Sequence, residues 1–147
     1  VAGPGFEREN LMEFIRKKNA SLAKTIILAH ASDVGRSGIK EVIKRSENKI
    51  LKDTRVARET ALVEEYLKRV GKREMAATGL KDVEEAIGYG AVESLLVSVG
   101  NIKSLTSLLL SAEKVGAKIS VIGSDHESGE QFLNLGGIAA LLRFKVK

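Results

Sequence analysis

Short β-rich apolar runs alternate with amphipathic helical stretches along almost the whole chain, and glycines mark many of the changeovers. That alternation is the pattern of a layered α/β fold, in which helices cross over a sheet and bury its faces. Crossovers between neighbouring parallel strands are right-handed, so a mostly parallel sheet is expected. Val1-Ala2 reads as the end of a strand and Gly3-Pro4-Gly5 as a tight turn. Leu11, Phe14 and Ile15 then form the apolar stripe of a helix running to about Asn19. Thr25 to Ala29 is a β-rich run bounded by polar residues, and Asp33 to Ser37 is loop chemistry. Ile39, Val42 and Ile43 mark a short helix that Ser46 to Leu51 is expected to break.

A longer helix is expected from Asp53, capped by that carboxylate, with Val56, Thr60, Val63, Leu67 and Val70 on one side and Gly71 at its end. The run Met75 to Ala77 precedes a helix with Leu80, Val83, Ala86 and Ile87 inward, closed by Gly88. Ser94 to Ser98 reads as a strand. Asn101 is the expected cap of a helix carrying Leu105, Leu108, Leu109 and Ala112, which stops at Gly116. Lys118 to Gly123 is again a strand, Ser124 to Glu130 a polar loop entering a helix, and Gly137 to Val146 a final strand. A domain boundary falls near Leu51. Residues 51–147 read as self-sufficient, whereas residues 1–50 offer too few strands for a covered sheet and would leave edges open to self-association. Because Val1 already lies inside a structured pattern, a longer N-terminal part is expected to precede it.

Composition narrows the function. The 147 residues include no cysteine, which excludes disulfides, thiolate zinc sites and a cysteine nucleophile and fits a reducing cytoplasm. Apolar runs such as Ile26 to Leu28 fall far short of the roughly 20 residues that cross a bilayer, so no membrane partner is expected. The net charge of +5 is uneven: residues 1–50 hold 10 Lys and Arg against 6 Asp and Glu, and residues 51–147 hold 14 against 13. A polyanionic partner suits the basic first third. Four Phe and two Tyr are too few and too scattered for a base-stacking platform.

Each candidate constellation has a plainer account. Gly3-Pro4-Gly5 could bring backbone N–H groups to a phosphate, but Phe6-Glu7-Arg8-Glu9 follows where a phosphate loop needs Lys-Ser/Thr, and the two carboxylates repel an anion. A tight turn, with Phe6 stapled onto the following helix, is the simpler reading. His126 with Asp125, Glu127 and Glu130 groups possible metal ligands. It lacks the second imidazole or thiolate that zinc sites require, so a loop that feeds negative charge into a helix N-terminus is the better account. His30, Ser32 and Asp33 are too close in sequence to assemble a triad. Arg16-Lys17-Lys18 complements the dipole at a helix end and is also the best basic cluster for a ribosomal surface. No nucleophile, base and oxyanion site assembles, and neither a cofactor nor a small-molecule substrate is expected.

Three stretches carry a resemblance beyond this pattern: Val1-Ala-Gly-Pro-Gly-Phe6; Gly79-Leu80 with Tyr89-Gly-Ala-Val-Glu-Ser-Leu-Leu-Val97; and His126-Glu-Ser-Gly-Glu-Gln-Phe132 with Gly136-Gly-Ile-Ala-Ala-Leu-Leu-Arg-Phe144. In this order they resemble the archaeal form of the pelota family, ribosome-rescue relatives of the class-one translation termination factors. The resemblance implies that residues 1–50 are the second half of a central α/β domain. It implies that residues 51–147 are a complete C-terminal α/β domain, similar in fold to kink-turn-binding ribosomal proteins. It further implies a non-catalytic role at the empty decoding site of stalled ribosomes, with an elongation-factor-like GTPase and an ABC-type recycling ATPase as partners. By the same resemblance, Pro4, Gly5 and Phe6 match the motif associated with the GTPase, and Glu130 lies in a loop that supports partner contacts. An endonuclease activity proposed for the family is disputed, and no carboxylate cluster here supports one. The alternative is a release-factor fragment, whose Gly-Gly-Gln loop would lie before Val1. A kink-turn RNA role for residues 51–147 rests on fold analogy alone, and their near-neutral charge predicts negligible affinity.

Overall fold

The structure, a computed structural model, describes residues 1–146. The chain divides into two units, Val1–Thr54 and the residues from Arg55 onward. The first holds β1 (Ala2–Gly3), α1 (Glu7–Lys18), α2 (Ala20–Thr25), β2 (Ala29–His30) and the beginning of α3 (Arg36–Gly71). β1 and β2 pair in parallel, with Ala2 opposite Ala29 and Gly3 opposite His30. The strand expected over Thr25 to Ala29 therefore starts only at Ala29. Asn19 accepts from the Leu22 N–H at 3.0 Å and the Thr25 hydroxyl donates to the Leu22 carbonyl at 2.8 Å, so a capped helix claims the residues through Thr25. Leu11 and Phe14 of the α1 stripe stay largely exposed, and the buried apolar residues of this unit among the described residues are Ala23 and Ala31.

α3 runs unbroken through Ser46 to Leu51, and Asp53 sits in its interior instead of capping it. No glycine or proline occurs between Gly38 and Gly71. Ser46 and Asn48 lower helix propensity by only about half a kcal/mol each, too little to end a helix on their own. The start of α3 is fixed upstream by Asp33, whose carboxylate accepts from the Val34 N–H at 2.7 Å and the Ser37 hydroxyl at 2.6 Å. Gly38 is required there, because a Cβ would fall on the Asp33 carbonyl oxygen.

The second unit takes the rest of α3, then β3 (Ala76–Thr78), α4 (Leu80–Gly88), β4 (Val92–Ser98), two 3-10 turns, α5 (Thr106–Lys114), β5 (Lys118–Ile122), α6 (Glu127–Asn134) and β6 (Ile138–Leu142). Its sheet has the order β3-β6-β4-β5. Only β4 and β5 are parallel; β6 lies between β3 and β4 and runs antiparallel to both. The sheet is therefore mixed, not mostly parallel. The reason lies in α6, whose 8 residues span only about 12 Å. Ile138 pairs with Val97 and Ile122 with Ser98, so β6 begins at the end of the sheet where β5 finished. Gly136 and Gly137 turn the chain there with φ of 111° and 68°, a region that side chains disfavour.

α4 and α5 cover one face, with Val83, Ala86 and Leu108 packed on Ala77, Leu95 and Ala140. α3 and α6 cover the other, with Val63, Tyr66 and Phe132 on Leu96, Ile122 and Leu141. The Tyr66 and Phe132 rings meet edge to face at 6.0 Å. All five residues of β6 are buried, which explains its continuous apolar run: both of its faces are covered. It ends at Leu142, short of the expected Val146. Asn101 does not cap α5, which starts at Thr106; its amide donates to the Gly136 carbonyl at 3.1 Å and so holds the turn before β6.

Candidate functional site

Pro4, Gly5 and Phe6 lie on the turn that links β1 to α1. The Val1 amino group donates to the Ile27 carbonyl at 2.9 Å and the Ala29 N–H to the Val1 carbonyl at 3.0 Å, which ties the strand down before the turn. Gly5 has φ of 70°, a conformation that a side chain disfavours. Arg8 reaches back from the first turn of α1 and donates to the Gly3 carbonyl at 2.9 Å while pairing with Glu9 at 2.7 Å. Phe6 is the N-cap residue, and its carbonyl accepts from Glu9 and Asn10, both at 3.1 Å. Phe6 is 82% exposed. The staple expected of Phe6 is thus not formed: the backbone is held and the aromatic ring faces solvent. Arg8, the residue that pins the turn, carried no sequence signal beyond its charge.

Arg16, Lys17 and Lys18 occupy the last turn of α1, where cations oppose the partial negative charge of the helix end. Lys17 pairs with Glu13 at 2.9 Å and the Lys18 ammonium sits 5.9 Å from the centre of the Phe14 ring. His30, Ser32 and Asp33 are not brought together as a triad. Ser32 donates through its N–H and its hydroxyl to Glu41, each at 3.1 Å, and Asp33 serves the start of α3. These hydrogen bonds lower the Glu41 carboxyl below its ordinary value, and the Ser37 and Val34 donors do the same for Asp33.

The second unit holds the most connected polar cluster. Glu59 on α3, 6% exposed, accepts from Arg55 at 3.0 and 3.2 Å, from the Gly123 N–H at 2.9 Å and from His126 Nε2 at 2.7 Å. Arg55 also donates to Asp125. His126 is the N-cap of α6, and its Nδ1 accepts from the Gly129 N–H at 3.2 Å. Nδ1 therefore carries the lone pair and Nε2 the proton, which it donates to Glu59. Both ring nitrogens are engaged in hydrogen bonds, and His126 serves as the N-cap of α6. Burial alone would raise the Glu59 carboxyl, but the donors from His126, Gly123 and Arg55 outweigh it and hold it below its ordinary value. The Asp125 and Glu59 carboxylates raise Arg55.

Glu130 lies in the first turn of α6 with an exposed side chain, and its N–H donates to the His126 carbonyl at 3.0 Å. Glu127 shares that turn, so negative charge does enter the positive end of the helix. Sequence reasoning missed Glu59 and Arg55, because nothing in local spacing points to a partner 67 residues away.

A mixed four-stranded sheet with two helices on each face, opened by a long helix, is a domain class with known relatives. The family model described as eRF1 domain 3 matches residues 56–146, and the chain belongs to that family. Over its full length the chain is 43% identical to a Pelota homolog of Pyrococcus furiosus, of which it covers 43%. It is 45% identical to a Pelota homolog of Pyrococcus abyssi over 99% of the chain and 43% of that protein. The chain thus spans less than half the length of these relatives. Among solved structures it matches Archaeoglobus fulgidus Pelota with a TM-score of 0.86 at 36% identity, over 100% of this chain and 49% of that one. It matches archaeal Pelota in a ribosome-bound assembly with ABCE1 with a TM-score of 0.62 at 40% identity, over 100% and 43%. It also matches Saccharomyces cerevisiae Dom34, a translation termination-like factor of RNA quality control that interacts with Hbs1. That match has a TM-score of 0.60 at 28% identity, over 99% and 46%. Among the described residues no helix is long and apolar enough to cross a membrane.

Proposed function

We propose that this chain is part of a ribosome-rescue and mRNA-surveillance factor. The factor binds the empty decoding site of stalled ribosomes with a translational GTPase and promotes subunit dissociation with an ABC-type ATPase, in the cytoplasm. The observation that carries this reading is the 40% identity, over the whole chain, to Pelota in its ribosome-bound assembly with ABCE1. The likeness to Dom34, which interacts with Hbs1, supports the GTPase partner. In this reading residues 1–50 are the second half of a central domain and residues 51–147 the C-terminal domain. The role is docking, without bond-making chemistry and without the disputed endonuclease.

The geometry of the turn supports a contact role for Pro4, Gly5 and Phe6. An aromatic residue 82% exposed on a backbone held by Arg8 gives a partner pocket an anchor at little ordering cost. Glu130, exposed on α6, would steer and orient the partner, and Arg16, Lys17 and Lys18 would meet ribosomal phosphates. The test is capture of the cognate GTPase by the full-length protein, wild type against Phe6→Ala. We expect affinity to fall at least about 10-fold, while stability changes by less than about 0.5 kcal/mol because the ring packs on nothing that folding buries. Undiminished capture would remove Phe6 from the contact. The release-factor alternative predicts stimulated peptidyl-tRNA hydrolysis by the full-length protein; the rescue reading predicts none.

A further inference from the structure

β5 is the outer strand of the four-stranded sheet and, among the described residues, pairs with β4 alone. Its other edge presents unpaired backbone N–H and C=O groups, a template for one more strand. Ile122 packs into the α3 and α6 core, so Lys118 and Ser120 share that face by the period of two. Ile119 pairs with Leu95, which packs in the core under α4 and α5, so Ile119 and Val121 share the opposite face. Val121 is 42% exposed. A cleft of about 470 Å³ lies between α3 and the β5 edge, walled by Arg58, Glu59 and Leu62 of α3 and by the length of β5 from Lys118 to Val121. Arg58 and Lys118 are exposed, and neither has an ion-pair partner among the described residues. Arg55, in the same cleft, is matched by Glu59 and Asp125.

We propose that an extended acidic segment of a partner protein docks as a fifth strand on the free edge of β5, with acidic and apolar side chains in alternation. Its carboxylates enter the cleft beside Arg58 and Lys118, and its apolar side chains continue the Ile119 and Val121 stripe on the α5 side. A lone lysine on an edge strand is accounted for as a guard against self-pairing. A second cation brought to the same cleft by a different element is not, and the two together set the charge of the occupant. Nucleic acid fits less well, because no aromatic side chain lines the cleft for a base to stack on. The inference stands on the second unit alone and does not depend on the ribosome-rescue reading.

The test is a titration of the isotope-labelled chain with an eight-residue peptide alternating Glu and Val, followed by amide shifts and amide exchange. Expected are shifts and slowed exchange centred on β5, with binding at least about 10-fold weaker for the Arg58→Glu, Lys118→Glu double variant. Both side chains are exposed, so the variant keeps its fold, checked by the unchanged amide spectrum of β6. The same peptide N-methylated at every residue keeps its side-chain charge but loses its backbone donors on both edges, and should not bind. Three results would overturn the proposal: no response of β5 at millimolar peptide, equal binding of the N-methylated or a Lys-Val peptide, or tighter occupation of the cleft by a single-stranded RNA oligonucleotide.

Discussion

A carboxylate only 6% exposed stays ionised when donors replace the water it has lost, and Glu59 has them from Arg55, Gly123 and His126. Its folded pKa lies below the ordinary 4.5. A lowered carboxyl contributes stability above the unfolded value, and that contribution is lost as pH falls from there through the folded value. Glu59→Gln should therefore cost about 2–4 kcal/mol at pH 7, with the gap to wild type narrowing below about pH 4, as read by urea denaturation across pH. Parallel stability curves would remove Glu59 as the source. Gly129 is the second sensitive position, since a Cβ there would fall on the Gly123 carbonyl oxygen. Gly129→Ala should cost about 2–3 kcal/mol in the same measurement. A loss within about 0.5 kcal/mol would show that α6 can shift to make room. At this scale the sequence was half legible. His126-Glu-Ser-Gly-Glu announced a helix start, but the partner that fixes the histidine tautomer sits on another element, and local spacing holds no trace of it.

Among the elements, long amphipathic stripes and glycine stops were readable. α1, α4 and the end of α3 at Gly71 fall where the periodicity puts them. What periodicity does not encode is strand direction: Ile138-Ala-Ala-Leu-Leu142 is equally apolar read either way, and only the short α6 and the Gly136-Gly137 turn make β6 antiparallel. The break expected inside α3 does not form because Ser46 and Asn48 weaken a helix without stopping one. Asn48→Pro separates the two readings. In a continuous helix it removes a backbone hydrogen bond and clashes with the preceding turn, costing about 3 kcal/mol or more and lowering the 222 nm ellipticity. In a linker it would be nearly neutral. Asn48→Ala, as the control, should stabilise by about 0.5 kcal/mol.

For the molecule as a whole, burial is divided very unevenly. The second unit buries both faces of its sheet, whereas the first buries Ala23 and Ala31 beside a two-stranded ribbon and leaves Phe14 59% exposed. At roughly 25 cal/mol per Å² of apolar area, two alanines contribute little against the entropy of ordering the first unit. The charge follows the same division, since the positive surplus lies in residues 1–50. Local opening should therefore be easy in the first unit and rare in the second. Native-state amide exchange on the 147-residue chain reads this directly: amides of α1 and α2 should exchange at least about 100-fold faster than those of β4 and β6. One common rate would mean that the units open together and that the first is held by more than its own contacts. In a full-length protein whose preceding residues complete the central domain, Leu11 and Phe14 would be covered, and the α1 amides should slow toward the β4 rate. If their rate stays unchanged in that longer protein, the stripe on α1 serves another surface, and the assignment of residues 1–50 as half of a domain fails.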